Sequence, residues 1–345
     1  MPTGDAPFVI PLFIPHKGCP HQCAFCNQVA ITGQSAASLP DSEAVESEIQ
    51  RFIGFKSPHR FPVQIAFYGG NFLGLDPVEI RRLLQTATGF VRSGKVQSIR
   101  FSTRPDTINP ERLKLIKPFP VSTIEIGAQS MDDQVLELSN RGHSAQDTMH
   151  ALQLLKKERY ETGIQMMIGL PGDSEKIALE TGRRIASLKP DFVRVYPTLV
   201  IDQSPLARSY RLGEYRPLSL DESVAWTKQL YLHFNEHHIR VIRMGLQADE
   251  TLEKETSILA GPYHPAFGQL IYSAIYLDRV MEILNENPDL GKRSSLEIHV
   301  HPSQISTMRG QKNANVKALC THYGLTEVRV LSDPDLEEKG IRIQG

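Results

Sequence analysis

Along the first two-thirds of the chain, apolar and β-branched residues come in short runs. The runs are 8–14 (FVIPLFI), 63–69 (VQIAFYG), 98–103 (SIRFST), 122–128 (STIEIGA), 162–170 (TGIQMMIGL) and 191–197 (DFVRVYP). Runs of this length, rich in Val, Ile and Phe, predict buried strands. Between them the apolar positions widen to a helical period, as in DSEAVESEIQRFIGF, DPVEIRRLLQTATGFV, NPERLKLI, AQDTMHALQLLKKERY and SEKIALETGRRIASL. Asp41 offers a helix N-cap, and Asp76 before Pro77 places a cap ahead of a proline suited to the first helical turn. Six strand-helix units predict a parallel sheet with helices packed outside it. Right-handed crossovers let such strands curl, so the expected fold class is α/β, a partial (β/α)6 TIM-like barrel with a small C-terminal α/β domain. An open doubly wound sheet is the rival. Either architecture puts its chemistry at the C-terminal ends of the strands.

After Pro197 the rhythm breaks. Residues 198–223 read as a long irregular connection, followed by a helix near 220–237, a short strand in HIRVIRMGL and a loop-rich stretch at 249–264. A helix near 265–285, the strand SLEIHVHP, a helix near 313–323 and the strand TEVRVLSD form the expected appendage. The expected domains are therefore a core barrel over 1–200 and a substrate-covering domain over 201–345.

Composition narrows the function class. With 40% hydrophobic and 22% charged residues in 345, the chain can bury a sizeable core. A net charge of −1 argues against a broadly basic surface for nonspecific nucleic-acid binding, though not against a local basic groove. No targeting segment and no apolar stretch of membrane-spanning length is read, and four cysteines, three of them clustered, do not suit a disulfide scaffold. The expectation is a soluble cytoplasmic protein. Cys320 is expected to be an ordinary buried thiol.

The clustered cysteines carry the chemistry. Cys19, Cys23 and Cys26 follow the first predicted strand with the spacing C-x3-C-x2-C. A zinc site would take a fourth ligand from His16 or His21, but the second distant pair usual in zinc fingers is missing. A redox pair of Cys23 and Cys26 leaves Cys19 unexplained. Three thiols without a shared role is the bland reading. The remaining one is a [4Fe-4S] cluster on three thiolates, which leaves one iron for a small molecule.

Other residues gather at the predicted strand ends. Gly69 and Gly70 form a turn or let backbone approach a ligand closely. Arg104 is either an ion-pair residue or a bidentate partner for a carboxylate. Glu125 and Gln129 alternate with apolar neighbours and point to one face, where a carboxylate needs a ligand or an arginine partner. Gln165 has the same inward parity, whereas Arg141 and His143 read equally well as solvated loop residues. In the C-terminal third, Tyr263, His264, Tyr272 and Tyr276 either pack or line a cavity. His299 and His301 lack a third metal ligand nearby, and Arg240 and Arg243 suit an anionic substrate.

The cysteine motif, with Phe25 just before its last cysteine, resembles that of the radical S-adenosylmethionine superfamily. Within it, GCPHQCAFCNQ, YGGNF, STRPD, IEIGAQS, NRGH, MIGLPG and VYPTLVI, spread over residues 8–216, resemble the catalytic subunit of Elongator. More loosely they resemble oxygen-independent coproporphyrinogen oxidases. The resemblance implies an enzyme that reductively cleaves S-adenosylmethionine at a [4Fe-4S] cluster held by Cys19, Cys23 and Cys26. The product would be a 5′-deoxyadenosyl radical. The resemblance implies cofactor contacts from Phe25, Gly69, Gly70, Asn71, Ser102, Arg104, Glu125, Gln129, Arg141 and Gln165, with His143 beside them and Leu170-Pro171-Gly172 next to adenine. It also implies a low-potential electron donor such as ferredoxin or flavodoxin.

Two departures matter. Asn71 stands where the family carries Glu, and no acetyl-coenzyme A pattern follows the VYPTLVI segment. The implied substrate is a transfer-RNA nucleoside, with a tetrapyrrole or other small molecule as the alternative. From another class, the alternative is a zinc-binding nucleic-acid-binding module.

Overall fold

The computed structural model describes residues 7–14, 18–27, 39–56, 60–246 and 258–344. Six strands run in chain order: β1 Phe8–Phe13, β2 Val63–Tyr68, β3 Ser98–Thr103, β4 Val121–Gln129, β5 Glu161–Ile168 and β6 Phe192–Pro197. They pair in that order, every pair parallel. The six predicted strands thus lie where the apolar runs put them. A seventh, β8 Arg240–Met244, joins the free edge of β6, also in parallel. The result is a curled half-barrel.

Helices α1 Ser42–Gly54, α2 Pro77–Arg92, α3 Pro110–Ile116, α4 Asp133–Leu138, α5 Ala145–Lys157 and α6 Glu175–Leu188 fill the crossovers. Their starts are written in the sequence. Asp41 accepts from the Ala44 amide at 2.8 Å and Asp76 from Val78 at 2.8 Å, with Pro77 in the first turn. Ser144 and Asp147 form a reciprocal capping box at α5. One stripe of each helix packs on the sheet, such as Ile80, Leu83, Leu84 and Ala87 of α2, all fully buried. Covered in this way, β2 is buried along nearly its whole length, on both parities. The rings of Phe67, Phe72 and Phe101 stack in sequence at 5.1 and 4.4 Å between centroids.

The stretch expected to be irregular contains structure. Strand β7 Val200–Ile201 pairs antiparallel with β9 Ile258–Ala260, and helix α7 spans Pro205–Arg211. The Ser204 side chain caps α7 by accepting from Ala207 at 3.1 Å, and Pro205 takes the first turn.

The chain divides into two compact units. One comprises residues 1–219 and 230–263, the other 220–229 and 264–345. Helix α8, Leu220–Glu236, contributes its first half to the second unit and the remainder to the first. The boundary expected near 200 falls inside the first unit. The second unit has a three-stranded sheet, β10 Ser295–Val300 between β11 Glu327–Ser332 and β12 Ile341–Gln344. Helices α9 Phe267–Glu286, α10 Pro288–Gly291, α11 Ile305–Arg309 and α12 Ala314–Tyr323 complete it. Its core joins Val280 and Leu284 to Leu296, Ile298, Val300, Met308 and Leu319. Cys320 is half-buried against this core. Among the described residues, no helix is long and apolar enough to cross a membrane.

Candidate active site

The cysteines lie in the connection after β1, at the C-terminal end of the sheet. Cys23 is 6% exposed, and Cys19 and Cys26 are half-buried. The loop's described residues 18–27 form no helix or strand and are held by bonds to other connections. The Ala24 amide donates to the Ser139 carbonyl at 2.9 Å, and Asn140 Nδ2 donates to the Gln22 carbonyl at 2.7 Å. On the other side, the Leu206 amide donates to the Ala24 carbonyl at 2.8 Å and Asn27 Nδ2 to the Asp202 carbonyl at 2.7 Å. Phe25 packs against the cluster of Val200, Leu206 and Ala207.

The start of the loop is fixed by Asn71. Its Nδ2 donates to the Gly18 carbonyl at 2.6 Å. Its Oδ1 accepts from the Thr103 hydroxyl at 2.7 Å, the Thr107 hydroxyl at 2.9 Å and the Arg104 amide at 3.0 Å. All the hydrogen-bonding atoms of this 1%-exposed side chain therefore work within the protein. Gly18 has a φ of +84°, and a Cβ there would stand 2.4 Å from the Asn71 carbonyl oxygen. Only glycine permits this approach.

Two arginines reach the loop. Arg141 Nη1 donates to Cys23 Sγ at 3.1 Å while its Nη2 donates to the Gly127 carbonyl at 2.7 Å. Arg104 pairs with Asp106 at 2.9 Å and donates from Nη2 to the Arg141 carbonyl at 2.5 Å. Arg104 Nη1, Arg141 Nε and His143 Nδ1 are buried and find no hydrogen-bond partner. Burial, then the charges of Arg141 and Arg104, push the His143 imidazole down to about 4, so it is neutral at pH 7. Its Nε2 lies 3.2 Å from the Ala128 carbonyl, which can only accept, so that nitrogen carries the proton.

The thiols repel one another's ionisation. Burial and the neighbouring Cys23 and Cys19 push the Cys26 thiol up to about 12. Cys19 is raised by burial and Cys23, against the pull of Arg104 and Arg141. Three crowded thiols of this kind, with cationic nitrogens around them, fit a site whose thiolates are neutralised by a metal centre.

Farther down the inner face, Glu125 is 3% exposed and bound on two sides. Arg100 Nη2 lies 2.7 Å from its Oε1, Arg194 Nε 2.6 Å from its Oε2, and the Tyr68 hydroxyl donates to Oε1 at 2.9 Å. Burial opposes ionisation, yet Arg194 and Arg100 hold the carboxyl below its ordinary range. Gln129, at a φ of 69°, and Gln165 are brought together, Gln165 Nε2 donating to Gln129 Oε1 at 2.5 Å. Ser102 is half-buried and shares the inward parity of Arg100. Gly69 has a φ of +94°, and both it and Gly70 are half-buried at the end of β2. The structure thus gathers the predicted residues on one face and one set of connections.

The sequence reading missed Arg100, Tyr68 and Arg194, and also Thr103 and Thr107. A usable signal existed: in SIRFST and FVRVYP a single arginine interrupts an apolar run at strand parity, which marks a charge on the inner face. Leu170 is 2% exposed and its carbonyl accepts from the Asp173 amide at 2.9 Å, closing the predicted turn at the end of β5. His301 is spent on the turn after β10, its Nδ1 2.8 Å from Ser303 Oγ, and His299 lies 3.9 Å from Glu297. His16 lies outside the described residues.

The model of the Radical SAM superfamily matches residues 13–185, half of the chain, and that of the Radical_SAM C-terminal domain matches 190–276. The chain belongs to the Radical SAM superfamily. It is 32% identical over 125 residues to a tRNA uridine(34) acetyltransferase of Methanocaldococcus infernus, a match spanning 35% of this chain and 23% of that protein. It is 26% identical over 233 residues to an oxygen-independent coproporphyrinogen-III oxidase-like protein, HemZ, of Bacillus subtilis, covering 64% and 46% of the two chains. Among solved structures, archaeal Elp3 from Methanocaldococcus infernus superposes with a TM-score of 0.60 at 19% identity, over 80% of this chain and 64% of the other. That likeness shows the fold. This Radical SAM chain spans less than half the length of these two curated relatives. Family membership makes it an enzyme and removes support from the zinc-binding module without catalysis.

Proposed function

We propose that the protein is a radical S-adenosylmethionine enzyme whose Cys19, Cys23 and Cys26 hold a [4Fe-4S] cluster, and that its substrate is a nucleoside of transfer RNA. The observation that carries the reading is the convergence of three crowded, half-buried or buried thiols with two unpartnered buried guanidinium nitrogens, Arg104 Nη1 and Arg141 Nε. Such nitrogens favour an anionic ligand beside the cysteines. When bound, the cluster and S-adenosylmethionine supply one-electron cleavage of a C–S bond and a 5′-deoxyadenosyl radical.

The protein's own part is positioning. Asn71 and Gly18 set where Cys19 sits, and the bonds from Ser139, Asn140, Asp202 and Leu206 set the rest of the loop. Arg141 holds Cys23 by an N–H···S bond. The backbone of Gly69 and Gly70 is left to receive the cofactor's ammonium. Arg104, with one unpartnered nitrogen, is offered to its carboxylate. Ser102, Gln129 and Gln165 face the remainder, with Phe25 seating the loop against Val200, Leu206 and Ala207, and Glu125 with its arginines forms the polar floor. Electrons come from a low-potential donor of the ferredoxin or flavodoxin type. The domain reading proposed is a catalytic barrel with a C-terminal substrate-covering domain.

Transfer RNA is supported by the acetyltransferase relative's printed name. A tetrapyrrole or other small molecule is the second reading, supported by HemZ. Anaerobic reconstitution tests the chemistry: about four irons and four sulfides per chain, with 5′-deoxyadenosine formed on adding dithionite and S-adenosylmethionine, and both lost in Cys19→Ala. Full product in that variant overturns the cluster assignment. Binding of transfer RNA that weakens steeply with salt supports the nucleoside reading, and its absence favours the small molecule.

A further inference from the structure

The last turn of α8 and the residue after it carry a second group of metal-ligating side-chain types, which the cysteine chemistry does not use. His233, Glu236 and His237 each offer a ligand atom, and the three atoms lie within 4.8 Å of one another. The spacing i, i+3, i+4 puts them on one face of the helix. That turn is anchored. Phe234 is fully buried, and the Ile239 amide donates to the Phe234 carbonyl at 2.9 Å, closing the helix at His238 with a φ of +57°. The carriers of the three side chains are therefore held on a fixed backbone.

Two features separate this group from an ordinary surface cluster. His237 Nδ1 lies 2.9 Å from the His233 carbonyl oxygen. A carbonyl only accepts, so Nδ1 carries the proton and Nε2 of the neutral ring is left with its lone pair. A ring nitrogen donated to a backbone carbonyl is the usual way a metal-binding histidine is oriented. His233 Nε2, in turn, is buried without a hydrogen-bond partner, with the His237 ring 4.3 Å away between centroids.

We propose that His233, Glu236 and His237 bind one divalent transition-metal ion of the zinc class. Two imidazoles and one carboxylate suit zinc and not magnesium or calcium, which take oxygen donors. Three protein donors leave a tetrahedral ion one further position for water or an outside group. The site is independent of the cysteine loop.

The test uses cluster-loaded protein, so that the cysteines do not compete, dialysed anaerobically against zinc sulfate. Metal analysis should find about one zinc per chain beyond the cluster iron. His237→Ala and His233→Ala should each weaken zinc binding at least about tenfold, and Glu236→Gln by a smaller factor, with the iron content and circular dichroism unchanged. Added zinc should raise the Tm of the unaltered protein and not that of His237→Ala. If loaded protein takes up no zinc, or if both histidine variants bind it as tightly as the unaltered protein, the proposal is overturned. If His233→Ala misfolds, the exposed His237→Gln decides by the same readings.

Discussion

Replacing Asn71 by leucine tests whether the cysteine loop is positioned from β3 through a single amide. The side chain is nearly isosteric, so packing changes little, and the loss is polar. Four hydrogen bonds disappear, one to the Gly18 carbonyl and three at Oδ1. The two threonine hydroxyls can still meet each other at 3.0 Å, and Thr107 retains the Arg104 carbonyl at 2.9 Å. The Arg104 amide and the Gly18 carbonyl are left without partners. A stranded buried group costs about 1–3 kcal/mol, and the half-buried Gly18 carbonyl recovers part of that from water, so the expected loss is about 2–4 kcal/mol. Urea unfolding of the apoprotein, followed by far-ultraviolet circular dichroism, measures it. Gly18 adjoins Cys19, so the iron retained after reconstitution and desalting should fall as well. A double-mutant cycle with Thr103→Val should show coupling of about 0.5–3 kcal/mol, since the two side chains share one bond. A stability change under about 0.5 kcal/mol, with full iron content, would refute the reasoning.

Three other outcomes follow from the same geometry. Glu125→Gln leaves Arg100 and Arg194 buried beside a neutral amide, and urea unfolding should show a loss of about 3–5 kcal/mol; a change under about 1 kcal/mol would mean that the arginines find other partners. Arg141→Met removes the N–H···S bond to Cys23, so the cluster potential, read by spectroscopic redox titration, should fall by about 60 mV or more; an unchanged potential counts against that contact in the loaded protein. His143, held at about 4 against an ordinary 6.5 by burial and then by Arg141 and Arg104, refuses a proton that the unfolded chain accepts. Its contribution is therefore present above pH 6.5 and is lost as pH falls through the window down to about 4, by about 3 kcal/mol in total. His143→Gln should flatten the pH dependence of apoprotein stability between pH 7 and 5, and parallel curves would exclude this origin.

The barrel was legible because its signals are local. Asp41 and Asp76-Pro77 announce their helices, and the strands announce themselves by unbroken apolar runs. The same chemistry was present at Ser204-Pro205, where α7 begins, but a short amphipathic helix between two irregular pieces leaves too few periodic positions to stand out. Strand β8 was visible as a strand, whereas its membership of the sheet was not, because pairing with β6 is a relation over about fifty residues that no local pattern encodes. That the three cysteines sit together at the end of the first strand was legible from spacing alone. Their supports were not: the bonds from Asn140 and from Asp202 reach the loop from 118 and 175 residues away.

Asn71 shows where reading by resemblance and reading by contact part. Resemblance treats the position as a cofactor contact, since the family's glutamate contacts the methionine amino group there. In this chain the shorter amide ends on Gly18, Thr103, Thr107 and the Arg104 amide instead. A carboxylate could not make the same set, because it has no donor for the Gly18 carbonyl. Asparagine therefore exchanges a charge facing the cofactor for a fixed entrance to the cysteine loop. Under the proposed function the ammonium of S-adenosylmethionine would be received by the backbone at Gly69 and Gly70, where the positive φ of Gly69 is open to glycine and strained for other residues. On that reasoning the position tolerates change through the loop's rigidity first and through cofactor affinity second. Iron retention in Asn71→Leu should accordingly fall before the apparent KM for S-adenosylmethionine rises in whatever fraction remains loaded.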